Sequence, residues 1–138
     1  MGVIATNKNE IRFYYSSMSS IGKQALAFIL ASDKKILAID VSKTKITGTQ
    51  WVEIANGLGL EVDQLIDTDH PDFINQYGTK VKIDDQHDWL KILEKHPSVL
   101  QRPIIVNGTT FIQIMNPPDV KKFLERESMG SDDEPTDQ

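Results

Sequence analysis

The chain has 138 residues, 39% of them hydrophobic, and a net charge of −5, which fits one globular domain around one hydrophobic core. It has no cysteine, so disulfides, thiolate catalysis and thiolate metal sites are excluded. The acids gather in Asp84-Asp85 and in Ser131-Asp132-Asp133-Glu134, leaving no electrostatic footprint for direct nucleic-acid binding, and no stretch approaches the roughly 20 apolar residues of a membrane span. Met1 to Thr6 lacks the basic and apolar regions of a signal peptide, and its fit to a myristoylation pattern reads as chance. The expectation is a soluble, cytoplasmic protein that contacts neither membrane nor nucleic acid.

Ile11-Arg12-Phe13-Tyr14-Tyr15 is short, β-branched and aromatic, and predicts a buried first strand that Ser16 to Ser20 then break. Ile21, Ala25, Phe28, Ile29 and Leu30 recur at helical spacing and predict a serine-capped helix from Ser20 to about Ala31. Lys35 to Val41 supplies a second strand, which a right-handed crossover would set parallel to the first. The chain therefore opens as a βαβ unit of the α/β class.

From about residue 49 to residue 96 the spacing is helical, with no convincing strand pair. Thr49 is the expected cap of a helix carrying Trp51, Ile54, Ala55 and Leu58, which Gly57 and Gly59 end. Short helices follow at Val62 to Ile66 and Pro71 to Asn75, and a longer one runs from Asp84 until His96-Pro97 stops it. Ile104-Ile105-Val106 and Thr110 to Ile114 flank Asn107-Gly108, a strong hairpin signal. Asn116-Pro117-Pro118-Asp119 opens a closing helix through Val120, Phe123 and Leu124. Residues 1–127 thus read as one domain, and the acidic stretch 128–138, without packing residues, as a disordered tail.

Few residues point to chemistry by themselves. His70, His87 and His96 lack paired-ligand spacing, so no metal site is expected, and no cofactor motif is present. Trp51 and Trp89 lie among aliphatics at helical spacing and read as core. Asp84, Asp85 and Asp88 at a helix start complement its dipole.

Two segments carry more. Phe13-Tyr14 ahead of Ser19, followed by Gly22-Lys23 and Ala25-Leu26, resembles the strand–loop–helix start of the arsenate reductase and Spx-like family. His96-Pro97-Ser98-Val99-Leu100-Gln101-Arg102-Pro103-Ile104-Ile105-Val106 resembles that family's second signature, and the two stand in the family's order and separation. The resemblance spans roughly residues 10 to 126 and implies a thioredoxin-like fold: β-α-β, a helical insertion, then β-β-α on a mixed sheet of about four strands.

In that family a cysteine at the position of Ser19 attacks arsenate, and the Spx-like branch has a second cysteine at the position of Gly22. The resemblance carries over Lys23 and Arg102 as the remaining basic residues of an oxyanion cage, while the family's other two arginines fall near Asp67 and Asn116. It places Pro103 as the active-site proline and implies a cis Arg102–Pro103 bond. Serine cannot form the disulfide that reduction requires, and Ser19 has no base nearby in sequence, so Ser19 reads as a capping serine. Arg102 has two readings, an anion ligand or a structural arginine bonding carbonyls, Asp40 or Asp67. The expected function is non-catalytic, with a protein partner or a small, weakly held oxyanion at Ser19, Lys23, Arg102 and Pro103. The alternative is a reductase-like enzyme with altered chemistry.

Overall fold

The computed structural model describes residues 10–125. Met1 to Thr6 and the acidic tail therefore lie outside the described residues. Strand β1 (Ile11–Tyr15) leads through helix α1 (Ser20–Ala31) to β2 (Ile36–Asp40). Helices α2 (Gly48–Leu58), α3 (Pro71–Tyr77) and α4 (Gln86–Lys95) follow, with 3-10 turns at Val62–Leu65 and Pro97–Val99. The hairpin β3 (Ile104–Asn107) and β4 (Thr110–Gln113) comes next, and a helix over 119–125, α5, closes the described chain. The strands lie in the order β2-β1-β3-β4, with β1 parallel to β2 and antiparallel to β3. This is the mixed four-stranded α/β arrangement that the sequence predicts.

Side-chain alternation along the central strands builds a core on each face of the sheet. Tyr14, Ile104 and Val106 pack with Trp51, Ile54, Leu65, Phe73 and Leu93 of the helical insertion. Phe13 and Ile105 point the other way, packing with Ala25 and Ile29 of α1 and with Val120 and Phe123 of α5. Burial on both faces explains why Ile104-Ile105-Val106 is an uninterrupted apolar run.

The helix and turn boundaries shift from their predicted places where local hydrogen bonds decide. The cap of α2 is Thr47, not Thr49: its hydroxyl accepts the Gln50 N–H at 3.2 Å, and the Gln50 side chain accepts the Thr47 N–H at 3.0 Å. A reciprocal capping box satisfies two otherwise orphaned donors, which a lone Thr49 could not do. Gly57 stays inside the helix, and Gly59 ends it in the left-handed region, at φ 72°. In the hairpin, Asn107 pairs with Thr110, so the turn is Gly108-Thr109. Only Gly108 has positive φ, 63°, the signature of a type II′ turn with glycine first.

One expectation is corrected outright. No cis peptide bond occurs among the described residues, so Arg102–Pro103 is trans. The trans form is intrinsically favoured by about 0.5–1 kcal/mol. Here it leaves the neighbouring backbone satisfied: Gln101 N–H donates to the Leu65 carbonyl at 2.7 Å, and the Pro103 carbonyl accepts Ile114 N–H at 2.8 Å.

Candidate functional site at the loop end of the sheet

The parallel strands β1 and β2 both end at the edge of the sheet where β3 begins, because Tyr15 is in register with Asp40 and Tyr14 with Ile104. The loop after β1 (Ser16 to Ser19), the loop after β2 and the Arg102-Pro103 segment thus share one end of the sheet. In α/β folds this is where ligands are bound.

Ser19 is the N-cap of α1, its Oγ accepting the Gly22 N–H at 3.1 Å. Lys23 sits one turn into α1, exposed, its N–H donating to the Ser19 carbonyl at 3.0 Å. Gly22 is buried because the helix passes so close to the loop that a Cβ there would lie 2.4 Å from the Ser16 carbonyl oxygen. Position 22 has no room for any side chain.

Arg102 Nη1 donates to the Met115 carbonyl at 3.3 Å, tying the start of β3 to the chain leaving β4. Neither carboxylate proposed for it is its partner. Asp67 accepts the Asp69 N–H at 3.0 Å, closing its own turn. Asp40 serves the other loop. Pro103 is buried, and Asn116 N–H donates to Asp119 Oδ2 at 3.2 Å.

Asp40 is the residue that sequence reasoning undervalued. Its Oδ1 accepts the Ser17 N–H at 3.0 Å, the Ser42 N–H at 3.0 Å and the Ser42 hydroxyl at 2.6 Å. Because the Ser42 proton is committed to Asp40, Ser17 Oγ donates to Ser42 Oγ across 3.0 Å. Burial pushes the Asp40 carboxyl upward, but the hydrogen bonds from Ser17 and Ser42 outweigh it and hold the group at about 2. The Asp-x-Ser spacing of Asp40 and Ser42 is a local Asx-turn signal. The bond to Ser17, 23 residues away, needed the parallel register. Within the first loop, Met18 N–H donates to Ser16 Oγ and Ser19 N–H to the Ser16 carbonyl, both at 3.1 Å.

The remaining candidates are structural. His70 caps α3, its Nδ1 accepting the Asp72 N–H at 3.0 Å, and His96 meets Tyr77 edge-on at 5.9 Å. Trp89 donates from Nε1 to the Ile83 carbonyl at 3.1 Å and stacks on Phe73. Among the described residues no three His, Asp or Glu converge as a metal site would need, and no helix is long and apolar enough to cross a membrane. A cleft of about 590 Å³ lined by Phe28, Ser32, Lys34 and Lys121 opens at the far end of α1, roughly 18 Å along the helix from Ser19.

The same architecture occurs in solved structures. A protein of Yersinia pestis described as an arsenate reductase matches 82% of this chain and 99% of its own, with a TM-score of 0.69 and 18% identity. This chain has the arsenate reductase fold. The arsenate reductase of Vibrio cholerae matches 86% of it and 98% of its own length, with a TM-score of 0.68 and 18% identity. An arsenate reductase related protein of Brucella melitensis matches 91% and 98%, with a TM-score of 0.59 and 12% identity. At such identities the likeness establishes the thioredoxin-like fold. No protein-family model and no curated protein matches the chain in sequence. The arsenate reductase fold here carries serines and Asp40 at its loop end and no thiol anywhere.

Proposed function

We propose that this chain is a cysteine-less, non-catalytic member of the arsenate reductase and Spx-like family that acts by binding a protein partner at the loop end of its sheet. The observation that carries the reading is the state of Ser19, whose Oγ accepts the Gly22 N–H as a helix cap and has no base hydrogen-bonded to it among the described residues. Reduction by this family needs a sulfur that forms an adduct and is released as a disulfide, and oxygen cannot do so. A hydrolytic serine would need a base, and the nearby carboxylate, Asp40 at about 2, is a weak proton acceptor bonded to other serines.

A small oxyanion is less well served than a protein. The amides of Ser17, Met18 and Ser19 already donate to Asp40 and Ser16, and Arg102 donates to a carbonyl. The side chains that remain open at this end include Met18, 68% exposed, and Met115, 50% exposed. Exposed methionines adapt their shape to a partner's apolar side chains. Lys23, exposed near the start of α1, favours a partner segment bearing acids.

Two measurements test this. Arsenate reduction with glutathione and glutaredoxin is expected at background for the wild type and for Ser19→Cys, since the thiol alone does not restore a cage lacking arginines near Asp67 and Asn116. Thiol-dependent turnover would overturn the reading. Because the chain has no cysteine, a photo-crosslinker can be placed on Met18→Cys alone, with Leu30→Cys as control. Crosslinks specific to position 18 are expected. Phosphate-dependent shifts of amides 17–23 that Arg102→Ala abolishes, without such crosslinks, would establish an anion site instead.

A further inference from the structure

We propose that His70, Asp72 and Ser98 form a pH-sensitive latch between helix α3 and the turn Pro97–Val99, held closed by the neutral imidazole and opened by a proton on His70. This goes beyond the loop-end reading and does not depend on it. The latch starts from the way α3 is capped. Pro71 takes the first helical position and has no N–H, so Asp72 carries the first backbone N–H of α3 that needs an acceptor. His70 is the N-cap, and its Nδ1 accepts that N–H at 3.0 Å. The usual caps, serine, threonine, aspartate and asparagine, accept through an oxygen that stays an acceptor near neutral pH. An imidazole does not. Accepting at Nδ1 requires the neutral ring, and imidazole is the side chain that ordinarily takes up a proton between about pH 5 and 8.

Asp72 is the moving part. Its Oδ2 accepts the Ser98 hydroxyl at 2.5 Å, a bond across 26 positions that ties α3 to the turn. The same oxygen lies 3.9 Å from His70 Nδ1, the atom that a proton converts from acceptor to donor. Protonation therefore removes the side-chain cap and sets a positive charge at the positive end of the helix dipole. It also draws Asp72 Oδ2 toward Nδ1, and closing to a charge-assisted bond of about 2.8 Å takes that oxygen away from Ser98. The His70 side chain is 23% exposed and that of Asp72 49%, so a proton reaches the pair directly from water.

The other groups around His70 do not replace Asp72. Asp67 and Asp69 precede it in the chain, and the Asp67 carboxylate accepts the Asp69 N–H. From the turn packed on α3, Ser98 is uncharged and His96 meets Tyr77 edge-on at the far end of the helix. Among the described residues Asp72 is the one carboxylate within 4.0 Å of His70. Asp67 N–H still donates to the Val99 carbonyl and Gln101 N–H to the Leu65 carbonyl, so opening the latch loosens the approach to Arg102 without unfolding it.

Nuclear magnetic resonance titration of the full chain from about pH 8 to about pH 5 tests the latch. The Asp72 and Ser98 amide resonances are expected to shift with the same midpoint as the His70 ring. Both shifts should be lost in His70→Asn, whose side-chain oxygen caps the helix without titrating. In Asp72→Asn the amide at position 72 should still follow His70 while that of Ser98 should not, because a neutral amide does not draw the imidazolium from its place. His96→Gln should leave both shifts unchanged. Circular dichroism checks folding, and if His70→Asn fails to fold, the wild-type midpoints and Asp72→Asn decide. A Ser98 or Asp72 amide that does not follow His70, or shifts that persist in folded His70→Asn or vanish in folded His96→Gln, would overturn the proposal.

Discussion

Placing a side chain at position 22 pits two effects against each other. Gly22 lies in the first turn of α1, where replacing glycine by alanine ordinarily favours the helix by up to about 1 kcal/mol. The added Cβ, however, meets the Ser16 carbonyl oxygen at 2.4 Å, and the Ser16 carbon and nitrogen at 3.3 Å. These are backbone atoms, and the same carbonyl holds Ser19 N–H at 3.1 Å, so relief requires moving the loop away from the helix. Overpacking of this kind costs roughly 1–3 kcal/mol. The balance is a net loss of about 1–2 kcal/mol for Gly22→Ala, with Gly22→Cys losing more because its sulfur must also be housed. For a chain of this size that lowers Tm by about 5 °C, read by calorimetry or a circular dichroism melt. A variant as stable as the wild type, or more stable as helix propensity alone demands, would refute the close approach.

Ser19→Ala should destabilise the fold by about 1 kcal/mol through loss of the cap, whereas Ser19→Asp should retain it, since both serine and aspartate accept the Gly22 N–H; equal melting of all three would refute the capping role. The depressed carboxyl of Asp40 contributes stability that is present above its unfolded value of 3.8 and is lost as pH falls toward about 2. Asp40→Asn should therefore cost about 1 kcal/mol at pH 7, after allowance for its partial exposure, and flatten the acid limb of a stability profile between those values. An unchanged acid limb would count against the Ser17–Ser42–Asp40 network. Gly57→Ala would bring a Cβ within 2.5 Å of the Phe111 ring on β4 and should destabilise by about 1–2 kcal/mol. Gly57→Ala with Phe111→Leu should recover part of that loss, and additive losses in the double variant would show that the two residues do not touch.

The sequence by itself determined the elements and their order. β1, α1 and the β3–β4 hairpin were legible because their signals are local: a β-branched aromatic run, apolar residues at helical spacing behind a serine cap, and an apolar pair of strands around a glycine turn. The lack of cysteine decided against thiol chemistry without any structure. Where two local signals compete, sequence reading slipped by a residue or two. Thr47 won over Thr49 because Gln50 completes its capping box, and the turn fell on Gly108-Thr109 because only one residue takes positive φ. What the tertiary structure alone decided are relations between distant segments. The backbone on either side of Arg102–Pro103 finds its partners at Leu65 and Ile114, and the carbonyl bound by Arg102 belongs to Met115. The bond from Ser17 to Asp40 exists because Tyr15 lies in register with Asp40. A strand's periodicity reports which face is buried, but carries no information on which strand lies beside it. Only that neighbour fixes whether a carboxylate at a strand end meets an arginine, a ligand or, as here, two serines.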